Sequence, residues 1–301
     1  MHTRWNLICI AVSTLTFGVA GAQDNSARSE KQELQMMALE ALIASPSERA
    51  LPALLKLLDG DGSDELKESA LFVLGQIEHP EAGKALLGYA RDGQGETQLE
   101  AIRMLGINGS PETLGALPGI YANGNREVRE AVLEAFLIAD DTEGVFGIAM
   151  NATTADDYED AVEILGAMGA HAELAKLREA KGISDALIEA YIISDNSTEL
   201  HKLAMDSSNP GLQAEAIEAI GIVGGDGADA MLAEIYTKSA DADIKEAALQ
   251  GLLIGDYDEV VLRLYRASQD TAEKRELLQT LVIMDSPLAM EVIDAALAGD
   301  Q

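Results

Sequence analysis

Leu66-Lys67-Glu68-Ser69-Ala70-Leu71-Phe72-Val73-Leu74-Gly75 is the stretch from which the fold can be read. Its apolar residues, continued to Ile77, fall three and four apart at Leu66, Ala70, Leu71, Leu74 and Ile77, which is the period of a helix and not of a strand. The pattern returns at Ala101, Ile102, Met104 and Leu105. Between such segments lie turn signals: Glu78-His79-Pro80, Asn108-Gly109-Ser110-Pro111, Asp140-Asp141, Ser194-Asp195-Asn196, Gly224-Gly225-Asp226-Gly227 and Asp285-Ser286-Pro287. No run shows sustained alternation bounded by hairpin turns, so the chain reads as all-α.

The segments repeat. An acidic residue followed by a small or apolar one recurs at Glu100-Ala101, Glu130-Ala131, Asp160-Ala161, Asp185-Ala186, Glu215-Ala216, Glu246-Ala247 and Glu276-Leu277, at spacings of 30, 30, 25, 30, 31 and 30 residues. Each unit reads as two short helices. One such pair cannot bury its apolar stripe alone, whereas stacked pairs share one continuous core. Ala70, Ala101, Ala161, Ala216 and Ala248 are placed to let helix axes approach; Leu74, Leu105, Leu165, Ile220 and Leu252 fill the space between layers.

Glu48-Arg49-Ala50-Leu51-Pro52-Ala53-Leu54-Leu55-Lys56-Leu57-Leu58 and the stretch from Leu66 to Gly75 resemble the first and second helices of HEAT repeats, of the short type also found in phycobilisome lyases. Leu105-Gly106, Leu165-Gly166 and Ile220-Gly221 match at the Leu-Gly position, and Val128-Arg129 and Ile244-Lys245 at the apolar-basic position opening the second helix. The resemblance implies a right-handed α-α superhelix whose second helices line the concave side. It predicts a lone helix over about 29–45, eight helix pairs, and a last helix over about 287–298. It implies protein binding more than catalysis. Pro52 and Pro118 fall within first helices, where a missing backbone donor favours a kink. The pair after Gly169 is about five residues short.

Composition bounds the partners. The 301 residues carry 52 acidic against 21 Lys and Arg, a formal charge of -31, which argues against nucleic acid and anionic membrane as ligands. Met1 to Arg4 form a basic head, Leu7 to Val19 an apolar run, and Ala20-Gly21-Ala22 a small-residue cleavage site. A signal peptide over 1–22, a polar linker over 23–28 and one solenoid domain over 29–301 are expected, with the mature protein periplasmic or secreted and no membrane insertion after cleavage. Cys9 leaves with the leader, so the mature chain has neither thiol nor disulfide chemistry.

Candidates for chemistry are few. His79, His171 and His201 read as exposed turn histidines, none followed by Glu. Deoxyhypusine hydroxylases, built from similar repeats, hold iron through paired His-Glu motifs, which this chain lacks. Asp59-Gly60-Asp61-Gly62-Ser63-Asp64-Glu65 has spaced oxygens, but Asp64 and Ala70 stand where a calcium loop needs Gly and Glu; it reads as an acidic loop with Asp64 capping the next helix. No metal or cofactor site is implied. Glu100, Glu130, Asp160, Asp185, Glu215, Glu246 and Glu276 are expected to form a ladder of carboxylates suited to a basic protein partner, or else to favour the positive ends of their helices. The sequence therefore points to a non-catalytic exported scaffold. The alternatives are an enzyme or its accessory subunit, with lyase-like or metal-assisted chemistry, and an acidic cation-binding protein.

Overall fold

The structure, a computed structural model, describes residues 30–298. The expected signal peptide and linker lie outside them. A lone helix, α1 (Glu30–Ile43), precedes eight hairpins, here R1 to R8. R1 joins α2 (Ser47–Leu58) to α3 (Asp64–Gly75), and R2 joins α4 (Pro80–Asp92) to α5 (Gly95–Asn108). In R3 a broken first helix, α6 (Pro111–Leu114) and α7 (Leu117–Asn123), leads to α8 (Arg126–Ile138). R4 is α9 (Thr142–Asn151) with α10 (Ala155–Ala167), and R5 is α11 (His171–Lys181) with α12 (Asp185–Ile193). R6 is α13 (Ser197–Ala204) with α14 (Pro210–Val223), R7 is α15 (Ala228–Lys238) with α16 (Ala242–Ile254), and R8 is α17 (Asp258–Ala267) with α18 (Thr271–Ile283). The last helix is α19 (Pro287–Ala298). Neither strand nor membrane-length apolar helix occurs among the described residues.

Local chemistry starts and stops these helices. Ser63, Asn125, Thr154, Ser184, Asn196 and Asn209 accept backbone N–H bonds at helix starts. Ser63, not Asp64, is therefore the cap of α3, and Asp64 is its first residue. Second helices end on a residue of positive φ: Gly109, Asp140, Gly169, Asp195, Gly224, Asp256 and Asp285 in R2 to R8. Asp tolerates this left-handed region better than larger side chains do. In R3, R4, R5, R7 and R8 the N–H after the turn residue reaches back five residues, as Ala170 N to Leu165 O at 3.0 Å and Asn196 N to Tyr191 O at 2.8 Å. Pro118 explains the break in R3, because it has no N–H to continue a helix and restricts the residue before it. Pro52, by contrast, is accommodated inside α2. The short repeat is R5, where α12 has only 9 residues.

The core runs the length of the stack. Ala70, Ala101, Ala161, Ala216, Ala248, Leu74, Leu105, Leu165 and Leu252 have no exposed surface, and Ile220 almost none. The residue three before each left-handed turn residue sets how near successive second helices come. It is Gly106, Gly166 and Gly221 in R2, R4 and R6, and there α5 lies against α8, α10 against α12 and α14 against α16. A Cβ on Gly106 would stand 2.4 Å from Ala135 O, and one on Gly221 would stand 2.2 Å from Gly251 O. Leu137, Ile192 and Leu253 fill the position in R3, R5 and R7, and the next joints are wider: α8 with α10, α12 with α14 and, widest, α16 with α18. Close and wide joints thus alternate from R2 onward, and since α3 also lies close to α5, R1 to R3 form one block, R4 with R5 and R6 with R7 two more.

Gly221→Ala should lower stability by about 1–3 kcal/mol in chemical denaturation, because α14 and α16 must part. Gly88→Ala, exposed in α4 with open space at its Cβ, should instead raise it by about 0.5–1 kcal/mol. Equal effects of the two changes would rule out close approach as the reason for the glycine.

Candidate functional site

The second helices carry most of the ladder on their solvent side. Counted back from the left-handed turn residue, Glu100, Asp160, Glu215 and Glu276 lie nine positions away, and Glu130, Asp185 and Glu246 lie ten. One residue on a helix is a rotation of about 100°, so the seven do not share one column. They form two, one in R2, R4, R6 and R8, the other in R3, R5 and R7. Asp185 is also the first residue of the shortened α12. The constant spacing in sequence concealed this, because loop lengths compensate for shifts in helix register.

A third column was missed. Arg103, Glu134, Glu163, Glu189 and Glu218 stand six positions before the turn residues of R2 to R6, and Gln250 and Gln279 in R7 and R8. Counting from the turn residue rather than from the helix start would have found it. The columns meet across repeats, since Arg103 Nε donates to Glu134 Oε2 at 2.8 Å, with Glu100 at 3.8 Å from the same guanidinium.

Acid is in excess here. Burial raises the Glu100 carboxyl above the ordinary range; Arg103 opposes that, while Glu68, Glu134 and Glu96 reinforce it. Glu215 is raised by desolvation and then by Asp185, Glu218 and Glu189. Glu68 is raised by desolvation and by Glu96, Asp64 and Glu65. Two basic groups beside these acids are paired: Arg103 with Glu134 and Glu100, and Arg126 with Glu130 at 2.6 Å, both exposed.

Two wide joints are tied by the same three-part contact. Across α8 and α10, Arg129 Nη1 donates to both oxygens of Asp157 at 2.8 and 3.1 Å. Tyr121 from α7 donates its hydroxyl to Asp157 at 3.1 Å and places its ring 5.6 Å from the guanidinium. Across α16 and α18, Lys245 Nζ donates to Glu273 Oε1 at 3.0 Å and lies 4.9 Å from the Tyr236 ring, and the Ser268 hydroxyl bonds the other oxygen of Glu273. Asp157 and Glu273 replace the buried apolar residue that opens other second helices, such as Val128 or Ile244. Burial pushes the Asp157 carboxyl up, but hydrogen bonds from Thr154, Arg129 and Tyr121 outweigh it and hold it below the usual range.

The histidines stand apart, in three repeats. His79 Nδ1 accepts from Glu81 N at 3.2 Å, and exposed His171 bonds Ser194 O at 3.0 Å. His201 departs from expectation: it sits inside α13, half-buried, with Nε2 covered and without a partner among the described residues. No group of three His, Cys, Asp or Glu able to hold a metal ion occurs among the described residues, the Asp59–Glu65 loop included. Tyr121, Tyr191 and Tyr236 are buried, and Tyr89, Tyr158, Tyr257 and Tyr265 are half-buried against the core.

The family model for HEAT repeats matches residues 51–136, and that for the PBS lyase HEAT-like repeat matches residues 34–60. No curated protein matches the chain. Among solved structures, human deoxyhypusine hydroxylase in complex with glycerol is similar at 18% identity over 75% of this chain and 99% of that one, with a TM-score of 0.31. The complex of CpcE and CpcF of phycocyanin lyase from Nostoc sp. PCC7120 is similar at 16% identity over 89% of this chain and 99% of that one, with a TM-score of 0.35.

Asp157→Asn should cost about 1–3 kcal/mol at neutral pH. A carboxyl whose pKa is lowered by folding stabilises above its unfolded value, near 3.9, and that stability disappears as pH falls through the folded value. The gap between wild type and Asp157→Asn should therefore close in acid, as read by denaturation midpoints. Glu215→Gln should do the reverse. Its raised carboxyl weakens the fold when ionised, so this variant should melt slightly higher at pH 7 and match wild type once the carboxyl is protonated.

Proposed function

We propose, on the footing that the chain is a HEAT-repeat protein, that it is an exported, non-catalytic scaffold which binds a basic protein partner along the face of its second helices. The observation that carries this reading is the crowding of carboxylates on the second helices, Glu68, Glu96 and Glu134 around Glu100 and Asp185, Glu189 and Glu218 around Glu215. Burial is the larger cause of each raised pKa and the neighbouring carboxylates add to it, so these acids are retained at a cost to the folded chain, part of which a cationic ligand would relieve. The stacked hairpins support the reading in a second way. Their columns run from helix to helix, so a ligand lying across the repeats would meet carboxylates from several of them at once. Export is the expectation from the first 22 residues, and the formal charge of -31 suits a chain that attracts cationic partners at long range.

Association with a lysine-rich peptide should slow as salt rises from about 0.01 to about 0.15 M, where the Debye length shrinks from about 30 to about 8 Å. Changing Glu100, Glu215 and Glu276 to Gln and Asp160 to Asn together should flatten that dependence. A rate indifferent to salt, or unchanged by the four substitutions, would overturn the reading. Export is tested separately: protein recovered from the periplasm or medium of producing cells should begin at Gln23, and an intact Met1 would refute it.

A further inference from the structure

The residue two before each left-handed turn residue is apolar where solvent reaches it. It is Ile107, Ile138, Ile193, Ile222, Ile254 and Ile283 in R2, R3, R5, R6, R7 and R8, with Ala167 in R4. Ile138 is half-buried, and the other five are between 39% and 69% exposed. Single apolar side chains on a surface need no explanation, but one β-branched residue at one register of six helices does. Isoleucine is a poorer helix former than Ala, Glu or Lys, so helix stability does not select it. The turn does not select it either. The apolar contact that accompanies such turns belongs to the residue four before the turn residue, and Phe136, Leu165, Tyr191, Leu252 and Leu281 there are buried.

Helix geometry places each isoleucine one turn beyond the third column, which is Glu134, Glu189 and Glu218 in R3, R5 and R6. Ile222 stands one turn beyond Glu218 and two turns beyond Glu215. We infer that this row is the apolar half of the docking face, and that its occupant is a basic polypeptide segment bearing aliphatic or aromatic side chains. The inference rests on the reading of the chain as a binder of a basic partner and adds what that partner must carry besides charge. Charge complementarity selects the sign of the occupant; the isoleucines exclude one that is basic and wholly polar. Packed helices lie about 8–10 Å apart, so one repeat corresponds to roughly three residues of extended ligand or about two turns of a helical one.

The test uses two synthetic peptides of equal length and charge, one of Lys and Ser alone, the other with Leu at every third position in place of Ser. Affinities are read by fluorescence anisotropy against the chain from Gln23 onward and against a variant combining Ile107→Gln, Ile193→Gln, Ile222→Gln and Ile254→Gln. These positions are exposed, so helicity by circular dichroism should be unchanged, and Ile222→Gln alone serves if the combination does not fold. The Leu-bearing peptide should bind wild type at least about tenfold more tightly than the polar one and lose most of that advantage on the variant. The polar peptide should bind both proteins alike. Equal affinity of the two peptides for wild type, or an advantage that survives in the variant, overturns the inference. Failure of both peptides to bind with salt dependence defeats the basic-partner reading itself. A mass that grows with protein concentration in wild type and not in the variant assigns the row to contact between copies, which also overturns it.

Discussion

How closely two neighbouring helices approach is the constraint on which the remaining structure depends. At Gly106, Gly166 and Gly221 the backbone of the next second helix, or its alanine side chain, occupies the volume a Cβ would need. There the joint is closed by the contact of small residues, and the buried alanines extend it. Where Leu137, Ile192 or Leu253 stands instead, the next second helix lies farther off. At two of the three wider joints a polar contact replaces the lost apolar one, Arg129 with Asp157 and Lys245 with Glu273. The tyrosine under each cation makes that substitution workable in a half-buried place. Its ring lies beside the cation, and in the first pair its hydroxyl adds a second donor to the Asp157 oxygen that Arg129 already bonds.

Much of this was legible in the chain. Helical period, turn residues and repeat length come from short-range patterns, which is why the eight hairpins, the lone first helix and the last helix from Pro287 were foreseen. The alanine and leucine positions of the core were likewise visible, since burial in a solenoid repeats with its unit. The site was less so. Glu100 and Glu130 look equivalent at a spacing of 30 residues, yet their helices end at different distances from them. Register is fixed at the turn residue, and that is known only once Asp140 and Asp195 are seen to share the backbone conformation of Gly109 and Gly169. Asp in that conformation is permitted but not demanded by its chemistry, so the sequence offers no unambiguous marker.

Long-range pairs were the other blind spot. Arg129 stands out in the sequence only as the basic residue after Val128, and nothing local says that its partner lies 28 residues on. The clue is negative: Asp157 and Glu273 occupy the position where R1, R3, R5 and R7 bury Leu66, Val128, Leu187 and Ile244. His201 shows the same limit, because a histidine near a turn in sequence became a half-buried helix residue once α13 formed over Ser197–Ala204. The sequence places the acidic residues of the second helices in one ladder, whereas their electrostatic state depends on which helices bring them together. Glu215 is perturbed by carboxylates from two helices, α12 and α14.

Uneven joints have a mechanical consequence. In a stack whose stability is a sum of hairpin and nearest-neighbour terms, cooperativity extends only as far as the couplings are strong. Close joints bind hairpins into blocks of two, and of three at the start of the stack, so tension applied along it would not peel one hairpin at a time. It would release blocks, each yielding as a unit at the wider boundary beside it, and the chain would lengthen in steps of two or three repeats.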